Sequence, residues 1–183
     1  MQDLIDQQQR DKSVVISVRI PQTVKQELER ESDVSGISLN TLIAQVLLKH
    51  VKWDAFATEI GFASLPKSFI KAVIEKIDDE SLTTLSSSVG RRSLRDAMIF
   101  MHGEVTINSF VSALDLWLEA ANIQYRRKER NGQTQYMIMH KLGTKWSLYL
   151  NSVVNSLLNE LGYKTAELNT DEESLSFTII RVN

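Results

Sequence analysis

Four cationic side chains stand close together in the C-terminal half of the chain, at Arg126, Arg127, Lys128 and Arg130. Clustered guanidinium and ammonium groups neutralise phosphates, so this run predicts a contact with DNA phosphates, in addition to any contact made elsewhere in the chain. Runs of charge also occur at exposed sheet edges, where they discourage pairing with another sheet. Both interpretations are open from the sequence alone.

The three histidines and the absence of cysteine limit the remaining chemistry. Without cysteine the chain has no disulfide, no thiolate metal ligand and no cysteine nucleophile. His50, His102 and His140 show no metal-binding spacing such as His-x-x-x-His, so we predict neither a metal nor a cofactor. No Gly-rich phosphate loop, Gly-x-Ser-x-Gly elbow or His-Glu-x-x-His motif occurs, and we therefore expect no enzymatic activity.

His140 is the histidine best placed for binding, because it follows an apolar strand and precedes a helix that contains Trp146. An imidazole in this position binds a ligand or responds to pH near neutrality. A buried histidine satisfied by local hydrogen bonds is the alternative. The first interpretation predicts a ligand site at His140 and Trp146, and the second predicts a structural histidine.

The net charge of −2 gives the chain no overall positive field, so binding to nucleic acid requires a local patch. One such patch lies near the N-terminus, where the cations Arg10, Lys12, Arg19 and Lys25 accompany a single acid, Asp11. No apolar run reaches the ~20 residues of a membrane-spanning helix, and the first residues lack the pattern of a secretory signal. We therefore expect a cytoplasmic protein.

The element that must position these cations is residues 13–20, a segment rich in β-branched side chains that ends at Pro21 and predicts a strand. Alternation places two sets of side chains on opposite faces: Val14, Ile16, Val18 and Ile20 on one, and Val15, Ser17 and Arg19 on the other. With no second strand nearby, the predicted partner is the same strand of another chain, in a two-stranded ribbon. A structural edge strand within one domain is the alternative.

Two helices are predicted after this strand. An amphipathic pattern over residues 22–32 precedes Gly36, and glycine is the usual residue just past a helix C-terminus. Ser38 then offers a hydroxyl as the N-cap of a second helix over residues 39–52. The second helix carries a wide apolar stripe, which predicts burial of one face.

The order of strand, helix, glycine turn and helix resembles the ribbon-helix-helix family of DNA-binding proteins over about residues 12–53. Arg19-Ile20-Pro21 and Ser38-Leu39-Asn40 carry the resemblance. It implies a homodimer joined through the strand 13–20 and the helix 39–52, with the ribbon in the major groove of double-stranded DNA. The implied base contacts are Val15, Ser17 and Arg19, and the implied phosphate contacts are Ser38, Leu39 and Asn40, assisted by Arg10 and Lys12 of a flexible arm over residues 1–12.

The sequence after residue 53 predicts a connector over residues 54–65 and a C-terminal α+β domain over residues 66–183. Helical patterns run from 66 to 121. Two strands flanking Asn131-Gly132 predict a hairpin, because this dipeptide strongly favours a two-residue turn. A long apolar stripe ending at Gly162 predicts a helix, and strands are expected at 164–169 and 174–181. The predicted fold class is α+β, with a ribbon-helix-helix module before a hairpin-helix-hairpin layer.

These patterns predict a prokaryotic, sequence-specific DNA-binding transcriptional regulator, typically a repressor. The C-terminal domain is expected to sense an effector, extend oligomerisation or bind a partner. One alternative is an antitoxin-like or partition-type adaptor whose C-terminal domain binds a partner protein. Another is a ligand-binding or enzymatic domain with a polar pocket around His140 and Trp146.

Overall fold

A computed structural model describes residues 13–59, 61–130 and 132–182 of the chain. The fold is α+β, with helices first and a four-stranded antiparallel sheet at the C-terminus. The chain divides into two compact units between Val46 and Leu47.

The N-terminal unit contains helix α1 (Gln22–Ser35) and the first part of helix α2 (Leu39–Lys49). Helix α1 ends at Gly36, whose φ of 64° is one that a side chain would disfavour. The Gly36 N–H donates to Asp33 O at 3.2 Å, and the Ile37 N–H donates to Ser32 O at 3.1 Å. Ser38 Oγ accepts from the Thr41 N–H at 3.1 Å and caps α2. The two predicted helices and the glycine turn between them are confirmed. The predicted burial of one face of the second helix is wrong for the described residues, because Leu42 is buried whereas Val46 and Leu47 are about half exposed.

The predicted strand over residues 13–20 is wrong. This segment has no regular secondary structure, and all of its side chains are exposed, Val15 to 98%. Alternating β-branched residues need a hydrogen-bonded neighbour to become a strand, and the described part of this chain supplies none. With helices first and strands only at the C-terminus, the structure also contradicts the resemblance to the ribbon-helix-helix family.

Helices continue through the first half of the C-terminal unit. The predicted helix over 39–52 ends its α-helical part at Lys49 and widens into a π-helical turn at His50–Asp54. A second such turn, Ser86–Gly90, precedes α6. The further helices are α3 (Ala55–Glu59), α4 (Lys67–Ile74), α5 (Asp79–Leu85), α6 (Arg91–His102) and α7 (Ile107–Ala120).

The sheet consists of two hairpins on either side of helix α8 (Thr144–Glu160). The first hairpin is β1 (Gln124–Arg130) and β2 (Gln133–Met139), and the second is β3 (Tyr163–Thr170) and β4 (Ser174–Arg181). Their order across the sheet is β1-β2-β4-β3, so β1 and β3 are the edges. Pairing of Arg130 with Gln133 confirms the hairpin predicted around Asn131-Gly132.

One face of the sheet forms the main hydrophobic core together with α7 and α8. Tyr136, Ile138, Leu175, Phe177 and Ile179 supply the sheet side of this core and are at most 3% exposed. The helices add Phe110, Leu114, Leu118, Leu150, Val154, Leu157 and Leu158. Because strand side chains alternate, burial of this inner face determines which residues lie on the opposite, outer face.

Within the residues that the structure describes, no single helix has both the length and the apolar character needed to cross a membrane.

Candidate functional site

The outer face of the sheet is the side opposite α7 and α8. Its central row is Gln133, Gln135, Met137 and Met139 of β2. Met137 is 53% exposed and Met139 42%, so no helix or loop among the described residues covers this part of the face. The outer face is therefore available for binding.

Three cations line one edge of the outer face. Arg126, Lys128 and Arg130 lie at alternate positions of β1, about 6.8 Å apart along the strand. All three are exposed, and none of them forms an ion pair with a described residue. Their charges remain free for an anionic partner.

Amide and hydroxyl groups lie beside the cations. Lys128 pairs across the sheet with Gln135, and Gln135 pairs with Thr178 of β4. Arg130 pairs with Gln133. Glutamine both donates and accepts hydrogen bonds, and it can read the edge of adenine in the major groove. Gln133 and Gln135 were not predicted as site residues, because β2 is apolar on both faces in the sequence and only the structure shows that Tyr136 lies on the inner one.

A fourth cation, Lys164, and an acid, Glu167, lie on β3, at the other edge of the sheet. Lys164 pairs with Ile180 of β4, and Ala166 pairs with Thr178. The Thr178 hydroxyl donates to Glu167 Oε2 at 2.7 Å, so this carboxylate already holds a partner within the sheet. The positive charge of the outer face is concentrated along β1.

Arg127 belongs to the inner face and does not join the other three cations. It forms an ion pair with Asp115 of α7, and Asp115 Oδ1 accepts from the Tyr136 hydroxyl at 2.8 Å. Burial raises the pKa of Asp115, while the hydrogen bond from Tyr136 and the charge of Arg127 lower it. The predicted basic cluster is thus divided by strand alternation, with Arg127 joining the sheet to α7.

His140 is fully buried and has hydrogen-bond partners at both ring nitrogens. Its Nδ1 accepts from the Leu142 N–H at 3.0 Å, which leaves Nε2 as the protonated nitrogen facing Ser147 Oγ at 2.7 Å. Ser147 Oγ in turn donates to Asp171 O at 2.9 Å. Burial lowers the pKa of His140. These contacts describe a neutral histidine that joins β2, α8 and the β3–β4 turn.

Trp146 lies in a different environment from His140. It lines an apolar cavity of about 220 Å³ together with Trp117 and Tyr149, whereas His140 is not part of the lining. The structure therefore does not bring the two predicted ligand residues into one pocket. No sequence pattern indicated this cavity, because its walls come from helices far apart in the chain.

The residues predicted to contact DNA in the N-terminal unit are exposed at positions 15, 17 and 19. Val15, Ser17 and Arg19 are free of regular structure, while the Ser38 hydroxyl already accepts from Thr41. Leu39 and Asn40 form the first turn of α2. Arg10 and Lys12 lie outside the described residues. The base and phosphate contacts and the homodimer remain predictions.

No family model matches this chain, and no curated protein or solved structure is significantly similar to it. The family suggested by residues 12–53 therefore has no support from comparison, in agreement with the order of elements in the structure.

Proposed function

We propose that this chain is a DNA-binding regulator that contacts double-stranded DNA through the outer face of its C-terminal sheet. The observation that carries the proposal is the row of Arg126, Lys128 and Arg130, without ion pairs among the described residues, beside exposed glutamines. A chain with a net charge of −2 binds DNA only through such a local patch. The cations would neutralise phosphates, and the amides would reach base edges.

The geometry of the face favours a groove of duplex DNA. The major groove admits two strands but not the width of a four-stranded sheet, so the β1–β2 side, which ends in the edge strand β1, is the part of the sheet that would enter it. In that position, the cations at the sheet edge approach one phosphate backbone while Gln133 and Gln135 face the bases. Phosphate contacts fix the register, and amide contacts contribute sequence preference.

The composition of the face favours duplex over single-stranded nucleic acid. Proteins that bind single strands stack bases on aromatic side chains. Along β1 and β2, the outer positions that the structure describes carry Arg, Lys, Gln and Met, while the aromatic residues Tyr125 and Tyr136 occupy inner positions. The outer face thus provides charge and hydrogen bonds without a stacking platform.

Ser17 and Arg19 form a separate, sequence-based part of the proposal. Both are exposed in the N-terminal unit, and arginine commonly forms a bidentate contact with guanine. Arg19→Ala is expected to reduce the preference between duplex sequences. Unchanged sequence preference in Arg19→Ala would show that Arg19 does not read the DNA sequence. That result would not bear on the contact proposed for the outer face of the sheet.

Fluorescence anisotropy with a mixed-sequence duplex of about 30 base pairs tests the sheet, with affinity measured across a salt series. Removal of one cation that neutralises a phosphate reduces the slope of log K against log salt concentration by about 1. We expect Arg126→Gln and Lys128→Gln each to reduce the slope by about 1. The triple change of Arg126, Lys128 and Arg130 to Gln should reduce it by about 3.

Arg127→Gln is the matched control, because it removes the same charge from the same strand on the inner face. Its slope should equal that of the wild type. Equal reductions in Arg126→Gln and Arg127→Gln would refute a face-specific contact. Co-purification of a second polypeptide together with undetectable DNA binding would favour the adaptor function instead.

A further inference from the structure

The aromatic cavity beside α8 has the composition of a small-molecule site. About 220 Å³ of space lies between α6, α7, α8 and the segment that contains Trp53 and Phe62. Its principal walls are Trp53, Phe62, Leu94, Trp117, Trp146 and Tyr149. Trp117 and Trp146 stack with ring centroids 6.4 Å apart, and Trp146 lies 5.4 Å from Tyr149. The space is thus bordered by adjacent aromatic rings.

Three polar side chains interrupt this apolar lining: Ser93, whose hydroxyl donates to Val89 O at 3.0 Å, together with Trp146 and Tyr149. The indole N–H of Trp146 is buried and has no hydrogen-bond partner in the described chain. Burial raises the pKa of the Tyr149 hydroxyl, which keeps this group protonated. A buried donor without an acceptor is unfavourable, and most buried polar groups in proteins are paired. An acceptor within the cavity would satisfy the indole N–H.

The cavity selects against charged molecules. Apart from Tyr149, its lining residues have no ionisable side chain. An ion placed against this lining would lose part of its hydration without gaining an opposite charge. The volume also sets a size: a cavity of about 150 Å³ holds benzene, so about 220 Å³ suits roughly nine non-hydrogen atoms.

We propose that this cavity binds a small, neutral, mainly aromatic molecule whose single acceptor oxygen or nitrogen receives the hydrogen bond of Trp146 Nε1. The ring of the ligand would pack between Trp53, Trp117 and Tyr149. The proposal does not depend on DNA binding, because it concerns residues of the helical layer and none of the outer sheet face.

Acetophenone and α-methylstyrene are matched probes for this site. They have the same number of non-hydrogen atoms and nearly the same shape, but only acetophenone carries an acceptor oxygen. Titration of the ¹⁵N-labelled full chain should shift the Trp146 indole signal with acetophenone. We expect acetophenone to bind about 3- to 10-fold more tightly than α-methylstyrene, the value of one hydrogen bond.

Trp146→Phe keeps an aromatic ring but removes the donor, and it should abolish the preference between the probes. Trp117→Phe is the comparison variant: it removes part of the wall but not the Trp146 donor, so it should weaken the binding of both probes to a similar degree and leave their ratio unchanged. The proposal would be overturned if neither probe shifted the Trp146 indole signal. It would also be overturned if Trp146→Phe still bound acetophenone more tightly than α-methylstyrene. If Trp146→Phe fails to fold, a nuclear Overhauser contact between acetophenone and the Trp146 indole proton in the wild type decides the matter, and its absence would refute the site.

Discussion

At the scale of single residues, the environment of a side chain decides its role more than its type does. Arg126 and Arg127 are neighbours in sequence, yet one faces outward and the other pairs with Asp115. Strand alternation predicts that the two side chains lie on opposite faces, but the burial of Tyr136 in the structure is what identifies the inner face. The role of His140 could not be predicted in this way. Its hydrogen-bond network includes residues 142, 147 and 171, which only the fold brings together.

His140 makes the stability of the C-terminal unit depend on pH. Burial lowers the pKa of His140 below its ordinary value of 6.5, and the charge of Asp171 opposes this shift more weakly. The unfolded chain therefore takes up a proton first as the pH falls. The contribution of the neutral histidine is complete above pH 6.5 and is lost as the pH falls through 6.5 toward the folded-state pKa.

We predict that the free energy of unfolding decreases below pH 6.5 by up to about 1.4 kcal/mol per pH unit from this group. Urea unfolding at a series of pH values measures it. His140→Asn keeps an acceptor for the Leu142 N–H but cannot titrate, so it should show a shallower dependence on pH. A variant whose stability falls as steeply as that of the wild type would show that His140 is not responsible.

At the scale of elements, the sequence was informative where local rules determine structure. The glycine after α1, the Ser38 cap and the hairpin at Asn131-Gly132 follow from turn and capping chemistry. The segment 13–20 was predicted incorrectly because alternation identifies a strand-like face without supplying a partner. The cavity was not predicted, since Trp53, Trp117 and Trp146 meet only through packing of helices.

Gly90 allows the close approach of α8 to the π-helical turn before α6. Its backbone is helical, with φ −60° and ψ −48°, so an alanine would be conformationally acceptable and would ordinarily stabilise a helix by about 1 kcal/mol. A Cβ at this position would lie 2.4 Å from Val153 Cγ2 and 2.7 Å from the Tyr149 hydroxyl oxygen. Steric overlap should outweigh the helix preference.

We predict that Gly90→Ala destabilises the protein by about 1–3 kcal/mol, the typical effect of overpacking. Chemical unfolding of Gly90→Ala, Val153→Ala and the double variant forms a thermodynamic cycle. The cost of Gly90→Ala should be smaller by at least about 0.5 kcal/mol in the Val153→Ala background, because the overlap is partly relieved. A stabilising Gly90→Ala would contradict the close packing seen here.

At the scale of the whole molecule, the C-terminal unit is asymmetric. Its sheet presents one face to the core and leaves the other exposed with a row of cations. The α+β class was predictable from the sequence, whereas the exposure of one sheet face depends on where every helix packs. The proposed DNA contact depends chiefly on this exposed face rather than on residues 13–20.

The most direct test of DNA binding by the outer face is an NMR titration of the full ¹⁵N-labelled chain with a mixed-sequence duplex of about 30 base pairs. We predict shifts in the backbone amides of β1 and in the side-chain amides of Gln133 and Gln135, with little change at Tyr136 or Ser147. Shifts confined to the helices or to residues 13–20, with the sheet unaffected, would contradict the proposed interface.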